Sequence, residues 1–289
     1  MPTASWPFLS LFCLFSAAQT CPALATEGAD PADPERGPTR GVPSTSAPSR
    51  TVPRLKVSAC GSEDAAVFGD FKISNANRST PATQATTGTI CWDAEGLHVH
   101  EVAQDAHIFS PYTHCNDPVF VASDVLEVFV APVLATTDNP VWYFELDASP
   151  SGALWGGLSN NSKGNSSTCV DAGGCQHSGV LPCTGLHSFD DGRLTVTVTN
   201  TSRAWSTKLT IPWTVFAEEF RPTTTAASSG DGSAVHDVKP HTLWRANFYR
   251  YSYPDGPNAA FDNFELNAWS PTFKPSFHEP ERFGVMVMV

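Results

Sequence analysis

Two neighbouring stretches of the chain, residues 125–130 and 142–147, alternate between apolar and polar positions. In the second stretch Trp142, Phe144 and Leu146 would face one way, and Tyr143, Glu145 and Asp147 the other. A period of two is typical of a β-strand that is packed on one face and open on the other. We therefore predict two strands of one sheet whose open face carries Glu127, Tyr143, Glu145 and Asp147. An ordinary solvated sheet face would show the same pattern.

Alternation of the same kind recurs along most of the chain. Turn-forming residues separate further candidate strands at residues 55–59, 67–73, 87–92, 97–102, 152–158, 194–199, 205–211, 244–251, 264–269 and 283–289. Residues 159–188 and 221–240 are polar and carry no strand pattern, so we predict loops there. About a dozen short strands without a convincing helix indicate an all-β fold, an antiparallel β-sandwich of the immunoglobulin or jelly-roll type.

The first 54 residues differ from the rest of the chain. Residues 1–25 contain a short apolar run and a small-x-small motif at Ala23–Ala25, which predicts a cleaved signal peptide. Residues 26–54 are rich in Pro, Ser and Thr and have almost no large apolar side chain, so we predict a disordered spacer. Residues 55–289 would form the sandwich domain. We expect a secreted, extracellular protein without a membrane span.

Composition narrows the range of partners. The net charge is −12 and only 16% of residues are charged, which argues against nucleic acid and anionic membranes because both require clustered Lys and Arg. The 18 Phe, 8 Trp and 5 Tyr are enough for a sizeable core. Carboxylates beside aromatic rings suit a carbohydrate, since rings cover its C–H faces and carboxylates accept hydrogen bonds from its hydroxyl groups.

The cysteines and sequons agree with secretion. Signal cleavage would leave six cysteines, an even number that predicts disulfides: Cys60, Cys91, Cys115, Cys169, Cys175 and Cys183. Zinc is the alternative, but no Cys-x-x-Cys motif occurs. We favour a Cys91–Cys115 pair, because these residues flank one strand and the loop that follows it. Candidate glycosylation sites are Asn77, Asn160, Asn165 and Asn200.

Several short motifs follow one another in a recognisable order. They are Cys91-Trp-Asp-Ala-Glu-Gly-Leu97, Asp124-Val-Leu-Glu-Val-Phe129, Tyr143-Phe-Glu-Leu-Asp147, Trp244-Arg-Ala-Asn-Phe-Tyr-Arg250, Trp269-Ser-Pro-Thr272 and Phe277-His-Glu-Pro-Glu-Arg-Phe-Gly284. In this order and rough spacing, residues 90–289 resemble the family 9 carbohydrate-binding module. The corresponding N-terminal motif of that family is not evident around residues 60–71.

The resemblance implies a β-sandwich that holds a sugar between two aromatic side chains. Phe120 and Phe277 match those aromatic positions, where the family commonly has tryptophan. Glu127 matches the family's sugar-reading carboxylate, whereas Glu145 stands where characterised sugar binders have an arginine. Tyr143 and Arg245 share the same polar sheet face, so we include them among the candidate ligand-binding residues.

These observations favour a non-catalytic carbohydrate-binding protein. Because family members are often attached to glycoside hydrolases, the resemblance also links the chain to polysaccharide breakdown. One alternative is a glycoside hydrolase that uses Glu127 and Glu145, which would require carboxyl groups roughly 5–9.5 Å apart. Another is a structural or adhesion protein with a vestigial sugar site, which the replacement of tryptophan by Phe120 and Phe277 would fit.

The sequence identifies no certain cofactor. A haem-binding sandwich would need paired axial ligands, for which His98 and His100 are weak candidates. Family members can hold structural calcium, and Asp93, Asp105, Asp117 and Asp124 lie in or near predicted loops that could supply oxygen ligands. No EF-hand motif occurs, so the metal ligands are left unassigned.

Overall fold

The computed structural model describes residues 51–76, 80–132, 139–140, 142–160, 176–180, 194–219, 243–256 and 264–289. For residues 158, 160, 176–180 and 217–219 it describes the backbone alone. All of these residues belong to one compact unit, Ser49–Val289. The predicted signal peptide, almost all of the predicted spacer, Asn77, Asn165, Cys169, Cys175 and Cys183 lie outside the described residues, and the side chain of Asn160 does so too.

The described residues form fourteen strands in two sheets, which confirms the all-β sandwich. The larger sheet contains β1 (Arg54–Val57), β3 (Lys72–Ile73), β6 (Val125–Ala131), β7 (Trp142–Ala148), β8 (Leu154–Asn160), β9 (Gln176–Val180), β12 (Leu243–Ser252), β13 (Glu265–Ala268) and β14 (Gly284–Met288). The smaller sheet contains β2 (Ala66–Phe68), β4 (Thr86–Trp92), β5 (Gly96–Gln104), β10 (Thr195–Asn200) and β11 (Ala204–Pro212).

The strand order places β12, β6 and β7, which carry three of the sequence motifs, side by side. The larger sheet runs β1-β14-β12-β6-β7-β8-β9, with β13 pairing with β12 and β3, and the smaller sheet runs β10-β11-β5-β4-β2. All pairings are antiparallel except that of β1 with β14. β6 therefore lies between β12 and β7, and these three strands form the middle of the larger sheet.

The main core lies between the two sheets. Val128, Phe144 and Phe248 from the larger sheet pack against apolar residues of the smaller sheet such as Ile90 and Leu209. These are the apolar positions of the alternating patterns. The free energy that folds the sandwich comes mainly from removing this apolar surface from water.

One helix was not predicted from the sequence. The residues after β11 form helix α1 (Trp213–Glu219). Phe216 of α1 packs edge-on against Trp244 with ring centroids 5.0 Å apart. The helix has only seven residues, too few for a helical period to be visible in the sequence. No helix among the described residues has the length and apolar character needed to cross a membrane.

The predicted strand at residues 67–73 is in fact two strands in different sheets. β2 pairs with β4 in the smaller sheet, whereas β3 pairs with β13 in the larger sheet. Between them Asp70 adopts a positive φ of 56°, a conformation that Asp tolerates better than most residues and that redirects the chain. Strand β9 was also missed, because its sequence Gln-His-Ser-Gly-Val has no strand-like alternation.

The favoured Cys91–Cys115 disulfide is wrong. Cys91 is bonded to Cys60, and their Cα atoms are 5.0 Å apart. The amide of Cys60 donates a hydrogen bond to the carbonyl of Trp92 at 2.8 Å, which brings the end of β1 alongside β4. Cys115 is also disulfide-bonded.

The outer face of the larger sheet is not open, contrary to the prediction. On β7, Tyr143, Glu145 and Asp147 are all buried. The segment between β13 and β14 covers one part of this face and brings Phe277 and Phe283 onto it. The loop before β6 covers another part, where Val119 and Phe120 pack near Val125 and Trp155. The molecule therefore has a second apolar layer outside the sandwich core.

Candidate functional site

An open pocket of about 140 Å³ lies between these two covering segments on the outer face of the larger sheet. Its lining residues are Phe120, Glu127, Phe129, Glu145, Tyr251, Pro275, Ser276, Phe277 and His278. The structure thus brings four of the six predicted ligand-binding residues together: Phe120, Glu127, Glu145 and Phe277. Glu127 and Glu145 converge because β6 and β7 are neighbours in the sheet, and the two covering segments bring Phe120 and Phe277 to them.

The carboxyl groups of Glu127 and Glu145 project from adjacent strands of the sheet. Phe129 pairs directly with Glu145 across the β6–β7 ladder, and Glu127 pairs with Asp147. Glu127 is 1% exposed and Glu145 is 4% exposed. Ser159 donates a hydrogen bond to Oε2 of Glu145 at 3.2 Å. Within the described residues, the Glu127 carboxyl group has no hydrogen-bond partner.

Burial controls the ionisation of these groups. Desolvation raises the pKa of Glu127 well above its ordinary value, and the negative charges of Glu145 and Glu101 raise it further. Desolvation also raises the pKa of Glu145 to about 8. The pKa of Asp147 is raised by burial and then by Glu127 and Glu145, and neither of its carboxyl oxygens has a hydrogen-bond partner in the described part of the chain. The sheet therefore holds three neighbouring carboxyl groups that favour the neutral form.

Phe277, one of the two aromatic residues predicted to hold a sugar, is buried. It is 4% exposed, and its ring stacks on Tyr249 with centroids 4.0 Å apart. Its ring also meets Tyr251 edge-on at 5.3 Å. Because the segment before it folds back over the sheet, Phe277 presents only a small part of its surface to the pocket. Phe120 is half-buried and lies edge-on to Trp155 at 5.4 Å.

His278 is a pocket residue that the sequence analysis missed. Its Nδ1 is hydrogen-bonded to the hydroxyl group of Tyr143 at 2.8 Å, and its Nε2 is 3.8 Å from Oε2 of Glu145. Phe129 and Tyr251 were also missed, along with Pro275 and Ser276. The alternation in β6 placed Phe129 on the same face as Glu127, so that signal was available.

Tyr143 and Arg245 do not line the pocket. Tyr143 is fully buried, and its ring meets Phe283 edge-on at 5.2 Å. Arg245 is buried and its Nη2 donates a hydrogen bond to the carbonyl of Glu281 at 3.3 Å. Both side chains support the segment that covers the sheet, and Tyr143 also orients His278.

Of the four aspartates considered for calcium, Asp105 and Asp124 interact electrostatically with each other and with Arg250. Asp105 forms a fully buried ion pair with Arg250 at 2.9 Å. Asp124 accepts hydrogen bonds from the backbone amides of Phe109 and Tyr253, and burial followed by the charge of Asp105 raises its pKa to about 7.

The remaining two aspartates stabilise turns. Asp93 accepts hydrogen bonds from the amides of Glu95 and Gly96, and Asp117 from those of Thr113 and His114. Among the described residues, one group has metal-ligand types close together, Cys60, Asp93 and His98. Its cysteine sulfur is committed to a disulfide, so the group does not offer a thiolate.

Glu127 and Glu145 lie in similar, buried environments. In a hydrolase, the general acid and the nucleophile typically lie in environments that push their two pKa values apart. Here burial raises the pKa of both carboxyl groups. The aromatic rings beside them provide apolar surface of the kind that covers C–H groups of a ligand.

No family model and no curated protein matches the chain. Among solved structures, a Bacteroides uniformis protein to which carbohydrate binding has been ascribed shares 14% identity with a TM-score of 0.55, covering 83% of this chain and all of that one. Two structures of a family 9 carbohydrate-binding module from Caldicellulosiruptor kristjanssonii also match. The complex with cellotriose has 10% identity and a TM-score of 0.47, covering 81% of this chain and 93% of that one.

The glucose complex of the same module has 11% identity and a TM-score of 0.43, covering 82% of this chain and 95% of that one. At such identities the similarity concerns the fold. The chain shares its β-sandwich fold with the Bacteroides uniformis protein.

Proposed function

We propose that the chain is a secreted, non-catalytic carbohydrate-binding protein that holds a saccharide, or part of a polysaccharide, in the pocket between Phe120 and Phe277. The observation that carries the proposal is the composition of the pocket. Aromatic rings and buried carboxyl groups line the same small space. Ligand sites generally combine apolar walls with a few placed polar groups that orient the ligand.

Each kind of lining residue has a role that suits a sugar. Phe120, Tyr251 and Phe277 offer apolar surface for C–H groups. Glu127 and Glu145 can accept hydrogen bonds from hydroxyl groups, or donate one when protonated. Ser276 and His278 add further polar atoms. The carbohydrate binding ascribed to the Bacteroides protein, whose fold this chain shares, also supports the proposal.

Secretion is part of the same proposal. The apolar N-terminal run and its small-x-small motif favour export. The Cys60–Cys91 disulfide fits an oxidising compartment, where such bonds form and persist. An extracellular binding module would bring an associated enzyme close to a glycan. A role in polysaccharide breakdown would arise in this way.

A glycan array followed by calorimetry on the full mature chain tests the proposal. Phe120→Ala should weaken sugar binding by about 1–3 kcal/mol, the usual range for loss of a stacking ring. Phe273→Ala is the matched control, because Phe273 is 41% exposed and lies outside the pocket lining. Binding that survives Phe120→Ala unchanged would place the ligand elsewhere. Absence of any glycan ligand for the folded protein would overturn the proposal.

A further inference from the structure

Two carboxyl groups line the pocket among aromatic and neutral side chains. Among the described lining residues, the ionisable side chains are Glu127, Glu145, Tyr251 and His278, and none is a lysine or an arginine. Glu127 on β6 and Glu145 on β7 project from neighbouring strands, so two carboxyl groups share the lining of the pocket.

The basic side chains closest to the pocket in sequence point to other partners. Lys274 Nζ is 3.0 Å from Oε2 of the buried Glu279. Arg282 Nε donates a hydrogen bond to the carbonyl of Pro271 at 3.1 Å, and its guanidinium group lies over the ring of Phe273. Neither residue lines the pocket.

Glu145 accepts a hydrogen bond from Ser159 and lies 3.8 Å from Nε2 of His278, so the need for a positively charged partner falls mainly on Glu127. A buried carboxylate is costly unless it is paired or hydrogen-bonded. Glu127 has no hydrogen-bond partner within the described residues, and burial raises the pKa of both groups. A cation that entered the pocket would supply the missing partner and favour the ionised form of the carboxyl groups.

The aromatic walls favour a cation of a particular kind. Electron-rich faces of Phe and Tyr attract organic cations, and the same rings cover C–H groups. An inorganic divalent ion would gain little from Phe120, Phe129 and Phe277. A sugar ring that carries an ammonium group would use both the carboxyl groups and the rings.

We propose that the ligand of this pocket is an amino sugar with a free, protonated amine, whose ammonium group is held by Glu127 and Glu145 while its ring lies between Phe120 and Phe277. This inference rests on the proposed carbohydrate-binding function and specifies its ligand class. Acetylation of the amine removes the charge, so an N-acetylated sugar should bind no better than a neutral one.

Calorimetry on the full mature chain with glucosamine, N-acetylglucosamine and glucose tests the inference. Glucosamine should bind about tenfold more tightly than the other two, because hydrogen bonds between charged groups exceed neutral ones by about 1–1.5 kcal/mol. In Glu145→Gln and in Glu127→Gln the ratio of glucosamine to glucose affinity should fall toward one. The matched control is Glu95→Gln, which removes the same charge from an exposed hairpin turn of the smaller sheet. It should leave the ratio unchanged.

The possible outcomes separate the two proposals. Equal or tighter binding of glucose and N-acetylglucosamine would overturn the amino-sugar inference and leave carbohydrate binding intact. Failure of all three sugars and of the glycan array would overturn both. Titration with calcium alone is the remaining arm. Calcium binding that Glu145→Gln abolishes, without preference for glucosamine, would identify a metal site and overturn the inference.

Discussion

The ring of Phe277 stacks on the ring of Tyr249 with centroids 4.0 Å apart and planes inclined by 17°. The hydroxyl group of Tyr249 also donates a hydrogen bond to the backbone carbonyl of Phe277 at 3.0 Å. One residue of β12 thus holds both the side chain and the backbone of the segment that covers the sheet. The pocket wall at Phe277 is therefore part of the folded core as well as part of the site.

Phe277→Ala should destabilise the protein. Truncating a buried aromatic ring costs about 3–5 kcal/mol, through lost burial and the cavity that remains. Urea unfolding followed by tryptophan fluorescence would measure the loss. Phe273→Ala is the control, since Phe273 is 41% exposed, and it should cost much less. A Phe277→Ala protein as stable as the wild type would show that the covering segment does not depend on this ring. Phe120→Ala is for this reason the better probe of ligand binding.

Stability should decrease as the pH rises from about 5 to 8. The pKa of Glu145 in the folded protein, about 8, is above its ordinary value of 4.5, and that of Asp147 is also raised. The folded state therefore binds these protons more tightly than the unfolded state. The stabilisation that these protons give to the folded state is complete at a pH below the pKa of the unfolded state. It is lost as the pH rises through the pKa of the folded state. Each such group changes the free energy of unfolding by on the order of 1.4 kcal/mol per pH unit.

A variant at Asp147 isolates part of this pH dependence. Asp147 is fully buried, faces Glu127 across the ladder and lies outside the pocket lining. Asp147→Asn keeps the shape and removes the titration, so the free energy of unfolding should fall less steeply between pH 5 and pH 8. The exposed Asp64→Asn serves as the control and should leave the slope as in the wild type. If the free energy of unfolding of Asp147→Asn changed with pH as steeply as that of the wild type, the raised pKa of Asp147 in the folded protein would be contradicted.

Alternation predicted the sheets well because it is a local property. Val128 and Phe144 faced the core as expected, and Glu127 and Phe129 shared the opposite face. The covering layer could not be predicted in this way. It depends on contacts such as that between Tyr143 and His278, which are 135 residues apart in the sequence. A strand whose second face is buried by such a segment has the same alternation as a strand that faces solvent.

Motif matching found residues but not their environments. It placed Phe120, Glu127, Glu145 and Phe277 at one site, and all four line one pocket. It could not show that Phe277 is buried, because the same Phe in the same motif fits either a rim or a core position. The disulfide prediction failed for a related reason. Cys91 and Cys115 are close along the chain, but the partner of Cys91 is decided by the fold. The residues after β1 lie beside β4, and this brings Cys60 next to Cys91.

The buried ion pair between Arg250 and Asp105 should be important for stability. Both side chains are fully buried, and Arg250 also donates hydrogen bonds to Thr86 and Gln84. Arg250→Met should cost about 3–5 kcal/mol, because it leaves Asp105 as an unpaired buried charge. The comparison is Lys72→Met, which breaks an ion pair with the exposed Asp70 and should cost less than about 1 kcal/mol. If Arg250→Met and Lys72→Met lost the same free energy of unfolding in urea, burial would not control the strength of the ion pair between Arg250 and Asp105.

The cysteines provide a last prediction, which concerns both stability and redox state. Cys60 and Cys91 are 31 residues apart, so their bond closes a loop whose loss should cost about 3–4 kcal/mol by the chain-entropy model. Cys60→Ser/Cys91→Ser should lower the free energy of unfolding by that amount in urea titrations, with little change in sugar binding, since neither residue lines the pocket.

Alkylation of the unreduced mature protein should label none of the six cysteines, whereas labelling after reduction should modify all of them. The reason is that Cys60, Cys91 and Cys115 are disulfide-bonded and an even number of cysteines remains after signal cleavage. Mass spectrometry would count the labels. Two or more free thiols at high occupancy in the folded protein would contradict full pairing. A double variant as stable as the wild type would instead show that β1 is held beside β4 by its backbone hydrogen bonds and not by the disulfide.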